Sequence, residues 1–456
     1  MIASRRASWR RIVGLTAPVA LQSMVMAFLG LTDQLMVGQL GDHAIGAAGI
    51  AGQLTSLVIF VVTGLVTGVS AFTAQFWARE DMASVRNTLW FSAKASFLIA
   101  VPVAVAGVAM PSLLMRPFTV DMALVDEGST FVRLMAASFV PAAAVIAASG
   151  ALRATGQMRL LLYASLTAVT INVILDWILI FGHFGVPKLG LAGAGVATLT
   201  ARLIEAGLVL GAVARAIGWR RPGARPRPAV RRQIWATAIP LVANELAWIL
   251  SENTYAAVYG HMGTSALVAM TMTYPLQNLV FGLFTGIAAA ATPLIGSSLG
   301  HGQHSVAQAD ALRLLRLTLI ASVVMAGLVA AGSRAYARLY PVSADVAPQA
   351  VACLLVFGAL LLVKTQNKVL YDGVLTTGGD TRYFLVTGTL ATWLLGVPLA
   401  FVAAFVLHWP IWLVYLTLSV EEMVRFVIGL RRIMSRRWMR LRVGDAAAAP
   451  GAEVSL

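Results

Sequence analysis

The sequence predicts an all-α polytopic membrane protein of 12 transmembrane helices arranged in two pseudo-symmetric six-helix lobes. Three observations carry that prediction. Apolar residues make up 59% of the chain and charged residues only 12%, against roughly 45–50% and about 25% in soluble domains. Apolar stretches near the ~20 residues needed to cross a bilayer recur along the whole length. And the chain repeats itself. Thr16–Gly41 reads TAPVALQSMVMAFLGLTDQLMVGQLG, and Ala238–Gly263 reads AIPLVANELAWILSENTYAAVYGHMG. A shift of 222 carries Pro18 onto Pro240, Gly38 onto Gly260, Gly41 onto Gly263 and Gly64 onto Gly286. Two halves built on one plan, each opening with an acid-bearing membrane helix, imply a transporter architecture.

The spans follow in order. The first half gives Ile12–Val37, Ala44–Trp77, Thr88–Met110, Leu124–Ser149, Leu160–Phe181 and Leu189–Ile217. The second gives Gln233–Tyr259, Ala266–Leu299, Leu312–Gly332, Val346–Tyr371, Phe384–Leu407 and Ile411–Ile433. The arginines preceding the first span resemble the start of a signal peptide, but the apolar run is long and further spans follow, so it reads as a retained helix. Between the halves lies GWRRPGARPRPAVRR, Gly218–Arg232, whose prolines and charge oppose a buried helix. The expected domains are therefore a lobe over 1–217, a basic, Pro-rich linker over 218–232, a lobe over 233–443 and a disordered tail over 444–456. An even number of spans per half makes the two lobes parallel repeats.

The net charge of +15 would suggest nucleic acid in a soluble chain. Here the basic residues sit in short loops, so they set topology and no nucleic-acid partner is expected. Arg5, Arg6, Arg10, Arg11, Arg79, Arg86, Arg153, Arg159, Arg313, Arg316, Arg382, the linker and the Arg431–Arg442 cluster fall on one side. The opposite side keeps little beyond Arg116, Lys188, Arg334 and Arg338. Excess Lys and Arg mark the cytoplasmic face, which puts both termini there in a multi-pass protein expected in the plasma membrane. The single cysteine, Cys353, excludes a disulfide framework. Zinc-protease and phosphate-loop motifs are absent, so no enzyme and no cofactor are expected.

Acids inside apolar spans are costly and mark ion or substrate paths. Asp33 lies 22 residues after Arg11; Asn172 and Asp176 lie 13 and 17 residues after Arg159. At about 1.5 Å per residue, these positions reach comparable depth. Asn172 and Asp176 share a helix face at i and i+4. Thr198 descends to a compatible depth from Lys188. These four form the expected cation-coupling site. Asp33 and Asp176 are its expected ligands, through a shared proton or as hard oxygen donors to Na⁺. In the second half, Glu245 and Lys364 are the deep charges, and each is a candidate partner for the other. With Trp248, available for cation–π contact, and Asn367, they form the expected substrate cavity. Glu252 and Asn253 read as lip residues, and Arg202 with Glu205 as a structural pair.

Particular stretches carry a family resemblance. They are P-x14-D-x4-G-x-L-G from Pro18, GVSAFTAQFWARED from Gly68, INVILDWILIFG from Ile171, PKLGLAGAGVATLTARLIE from Pro187, PLVANELAW from Pro240, the GALRATGQMR and GVLTTGGDTR turns, and RRIMSRRW from Arg431. Together they resemble the multidrug and toxic compound extrusion (MATE) family from about Trp9 to Arg442. The resemblance implies a cation-coupled antiporter, driven by H⁺ or Na⁺, that exports organic cations, drugs or metabolites by alternating access between two lobes. It matches Asp33, Asn172 and Asp176 to the cation site of archaeal and DinF-like members. The sodium-coupled norfloxacin-exporter branch has a carboxylate in the tenth helix, where this chain has Lys364 and Asn367. The expected partners are a small-molecule substrate and the bilayer, with the protein a monomer. The alternative is a lipid-linked precursor flippase of the same superfamily.

Overall fold

The computed structural model describes residues 24, 27–28, 30–155, 157–218, 228–300, 302–378 and 380–439. The described chain is helical with no strand. Residues 30–38 form α1, and most of the expected first span lies outside the described residues. Then come α2 (Asp42–Ala78), α3 (Met82–Ala109), a short α4 (Pro111–Met115), α5 (Met122–Ala154), α6 (Met158–Phe181) and α7 (Leu191–Ala216). After the linker follow α8 (Pro228–His261), α9 (Thr264–Gly300), α10 (His304–Ala337), α11 (Val346–Lys368), α12 (Thr381–Ala391), α13 (Val397–Phe401), α14 (Ile411–Leu418) and α15 (Val420–Met434). Ten described helices are long and apolar enough to cross a membrane.

Three departures from the expected spans have local causes. Helix α8 starts at Pro228, five residues before the expected Gln233, because proline is favoured in the first helical turn, where its missing N–H costs nothing. The rest of the linker at 219–227 and the tail from 444 lie outside the described residues. The tenth and eleventh spans carry wide π turns at Val369–Leu375, Thr392–Gly396 and Val402–Val406. The twelfth is interrupted at Ser419, whose hydroxyl donates to the Tyr415 carbonyl at 2.8 Å.

The described residues group into two compact units. One is Thr32–Met272 with Arg338–Ala347; the other is Met1–Leu31, Thr273–Ala337 and Pro348–Leu456. In the first, α2 packs on α5 and α8, and α3 and α7 pack on α5. In lipid, helix association rests on close van der Waals fit between small residues, since hydrocarbon surrounds every helix. Helix α5 is built for this. A Cβ on Gly128 would sit 2.7 Å from that of Ala47 on α2, and one on Gly150 would strike Val66. In the span windows, α5 is 61% buried while α3 is 28% and α6 22%, so α5 is central and the other two peripheral. Leu98 and Val105 on α3 accordingly face outward.

The internal repeat reappears in the backbone. Asp81 N donates to Phe76 O at 3.0 Å, and Gln303 N, 222 residues on, donates to Ser298 O at 2.8 Å. Glu80 and Gly302 are both left-handed at these matched corners, with φ of 57° and 70°. The two Gly-rich turns match as well: Gln157 N to Leu152 O at 2.8 Å, and Asp380 N to Leu375 O at 3.0 Å. The paired glycines divide two tasks. Gly41 and Gly263 hold φ of 100° and 125°, open to glycine at little cost. Gly38 and Gly260 allow close approach: a Cβ would strike the Tyr340 ring at Gly38 and the Phe118 carbonyl at Gly260.

At this end of the first unit, Asp121 caps α5 by accepting from Ala123 N at 3.0 Å and Leu124 N at 3.3 Å. Its other oxygen accepts the Thr264 hydroxyl at 2.6 Å. That Thr264 bond, more than any other contact, holds the Asp121 carboxyl below its ordinary range. The contribution is therefore full above the ordinary carboxylate value and is lost as pH falls through the lower folded value. Asp121→Ala is expected to cost about 1 kcal/mol at neutral pH, the worth of a cap, and to flatten the acid limb of melting temperature against pH. A variant curve parallel to wild type at every pH would contradict this.

Candidate functional site

Asp33 lies on α1, and Asn172 and Asp176 lie on α6. Helix α6 runs without a break from Met158 to a left-handed Gly182, so Asn172 and Asp176 stay one turn apart on one face. The structure brings the Asp33 and Asp176 carboxyl groups into direct interaction. Asp176 is 0% exposed, and neither of its oxygens has a hydrogen-bond donor among the described residues. Asn172 Nδ2 is likewise buried without an acceptor, as is Nε2 of Gln34, which the sequence reading passed over. Buried polar atoms are almost always paired, so this concentration of orphans needs an explanation. Two carboxylates held side by side away from water require a proton or a cation between them. Thr198, on α7, is half-buried, and no hydrogen bond joins it to the pair among the described residues.

The neighbouring Arg202–Glu205 pair is structural. Glu205 is 5% exposed and takes Arg202 Nη1 at 2.8 Å and the Ser165 hydroxyl at 2.9 Å. Truncating Arg202 to Ala leaves that buried carboxylate one donor short and is expected to lower stability by about 1 kcal/mol, since Arg202 itself is 38% exposed and water screens the pair. The double variant Arg202→Ala/Glu205→Gln should recover most of the loss in thermal melting. A double variant no more stable than the single would contradict the pairing.

In the same unit, Glu245 and Trp248 sit one turn apart on α8 and both meet α2. The Glu245 Cγ lies 3.0 Å from where a Cβ on Gly64 would be, so the missing side chain at Gly64 makes room for the acid. Trp248 meets Phe60 edge-on, with centroids 4.8 Å apart and planes at 71°, and keeps 45% of its surface exposed. Asn253, expected at a lip, is buried, its amide donating to Ile249 O at 2.8 Å. It sits on the inward stripe of α8, a register that depth counting alone does not resolve.

The second unit holds Lys364 and Asn367. The sequence reading offered Lys364 the partner Glu245; the structure gives it Glu422, 4.0 Å away. Asn367 Nδ2 donates to Glu422 Oε2 at 2.6 Å and to the Glu422 carbonyl at 2.8 Å. Glu421, Glu422 and Arg425 escaped the sequence reading, although the rule applied to Asp33 would have found them inside the twelfth apolar run.

Comparisons with known proteins show the family and the fold. A family model described as MatE matches residues 18–178 and 240–402, two stretches whose starts stand 222 residues apart, the offset of the internal repeat. The chain is 22% identical to an uncharacterised transporter, YisQ, of Bacillus subtilis, covering 94% of this chain and 95% of that protein. It is 27% identical to a probable multidrug resistance protein NorM of Bradyrhizobium diazoefficiens, covering 86% and 85%. Among solved structures, an inward-facing multidrug resistance MATE family transporter of the MOP superfamily superposes with a TM-score of 0.79 at 16% identity, covering 94% and 99%.

Proposed function

The chain belongs to the MatE family, and from that premise we propose that it exports small organic cations, drugs or metabolites in exchange for an inward-moving H⁺ or Na⁺. The observation that carries the reading is the Asp33–Asp176 pair, whose buried Asp176 oxygens lack a hydrogen-bond donor among the described residues. The transported cation is the substrate that supplies the missing charge. A proton would be shared between the two carboxyl groups. Na⁺ would take their oxygens, with Asn172 and Thr198 as candidates for the remaining coordination. Glu245 and Trp248 supply the chemistry to receive an organic cation, a carboxylate beside an aromatic face.

Exchange follows if each ligand favours a different conformation, since a ligand that binds both states equally shifts nothing. The protein works as a monomer in a cell inner membrane, with both termini on the cytoplasmic side, as the arginine distribution favours. Relatives named for multidrug resistance support a drug-like substrate.

Ethidium efflux from proteoliposomes under an imposed pH or Na⁺ gradient tests this. Efflux driven by at least one gradient in wild type and lost in Asp33→Asn is expected. Gradient-driven efflux intact in Asp33→Asn would remove coupling from this pair.

A further inference from the structure

The second unit carries a buried cluster of charges that the coupling reading leaves unused. Glu421 and Glu422 lie in the first turn of α15, and Arg425 follows one turn on. Glu422 is well held, by Asn367 at 2.6 Å, Arg425 at 3.8 Å and Lys364 at 4.0 Å. Arg425 lies over the Tyr371 ring at 5.1 Å, and the Tyr371 hydroxyl donates to the Arg425 carbonyl at 2.8 Å. Lys364 lies over the Tyr415 ring at 5.4 Å. Both bases approach Glu422, and both also act on Glu421 by charge alone.

Glu421 is in a different position. It is 6% exposed, it bonds Thr392, and its Oε2 has no partner among the described residues. Two more buried atoms of the cluster are orphaned, Asn367 Oδ1 and Arg425 Nε, and Asn367 is itself 3% exposed. The surrounding backbone is irregular in the same places. Tyr371 lies in the π turn Val369–Leu375, and Thr392 opens the π turn Thr392–Gly396. Such turns rotate side chains away from α-helical positions and recur at functional sites. Here two of them, from two different spans, aim at one short stretch of α15.

We propose that Glu421 is a proton-binding site of the second unit, whose occupancy switches the Lys364–Glu421–Glu422–Arg425 cluster between neutral and singly positive. The step is simple: a proton from water adds to Oε2, the carboxylate becomes a carboxylic acid, and no other bond changes. Geometry selects Glu421 over Glu422. Glu422 has two bases within 4.0 Å and an amide to satisfy its charge, whereas Glu421 has one hydroxyl and a like-charged neighbour, with the same two bases acting on it only by charge and no ion-pair contact among the described residues. The titratable and charged groups around it are Glu422 and Arg425 on α15, Lys364 and the Lys368–Asp372 pair on α11 and its π extension, Tyr371 on that extension, Tyr383 on α12 and Tyr415 on α14. The site lies in the second unit, and its assignment does not depend on the Asp33–Asp176 pair.

The test is infrared difference spectroscopy of the full chain in lipid nanodiscs across a pH titration. An Asp33→Asn/Asp176→Asn background removes that pair from the spectrum, and the Glu421 variants identify the band that remains. A buried carboxylic acid C=O band that titrates in this background, disappears with Glu421→Gln and returns shifted with Glu421→Asp is expected. Folding of each variant is checked by gel filtration and melting. No titrating band in the background protein, or a band unchanged in Glu421→Gln, would overturn the assignment. If Glu421→Gln does not fold, Glu421→Asp alone decides: a shifted band supports the site and an unshifted one rejects it.

Discussion

Asp176→Asn is expected to abolish cation-driven transport while leaving the protein as stable as wild type or more so. The two effects have opposite signs because one residue causes both. Asp176 is fully buried and its oxygens lack donors among the described residues. A buried group left without a partner costs roughly 1–3 kcal/mol, and more when charged. Replacing the acid by its neutral isostere relieves repulsion with Asp33 and removes the need for a cation. Melting in detergent should therefore stay level or rise by the equivalent of about 1 kcal/mol. Transport loses its coupling ion, and gradient-driven efflux should fall to the rate seen with no gradient imposed. A variant that melts far below wild type would show that the pair holds helices together and is not a place for an ion. Efflux assays and thermal melting on one preparation separate these outcomes.

Gly260→Ala is expected to be the most destabilising single-methyl addition in the first unit. The added Cβ would overlap the backbone oxygen of Phe118. Where an added Cβ meets a flexible side chain, the neighbour can rotate away, as Leu124 can beside Gly46. A backbone carbonyl cannot, and the connection ending at Phe118 is held by a bond from its N to Met115 O at 2.9 Å. Overpacking costs typically about 1–3 kcal/mol and occasionally more, and this site belongs at or above the upper end. Gly207→Ala is the control, since nothing lies within 4 Å of its Cβ position. Equal melting temperatures for Gly260→Ala and Gly207→Ala would contradict the close approach.

These two sites show how unevenly the sequence reports the structure. Gly260 was visible because it is repeated: its counterpart Gly38 sits at the same place in the first half. The fold then gives both a common role, close approach, beside Gly41 and Gly263 at left-handed φ. Asp33 and Asp176 were visible because a carboxylate in an apolar run has few harmless explanations. Three things were hidden. The π turns at Val369–Leu375 and Thr392–Gly396 leave no mark on an apolar sequence, because the same side chains suit α and π geometry. Helix α10 runs from His304 to Ala337, well past the expected Leu312–Gly332. Its polar end is supported by Asp310 taking Arg313 at 2.7 Å, a pair that hydropathy counts as two breaks. The partner of Lys364 was missed for a different reason. Depth counting treats each half as a ruler, but Glu422 lies just beyond a break at Ser419 that resets the helix.

The most direct test of the coupling account is equilibrium competition between substrate and cation on purified protein in nanodiscs. Affinity for a fluorescent organic cation is measured as H⁺ or Na⁺ is raised, for wild type and for Asp33→Asn/Asp176→Asn. The account predicts that one of the two ions weakens substrate binding to wild type and has no effect on the double variant, because binding linkage is reciprocal and runs through that pair. Equal ion sensitivity in the two proteins would contradict it.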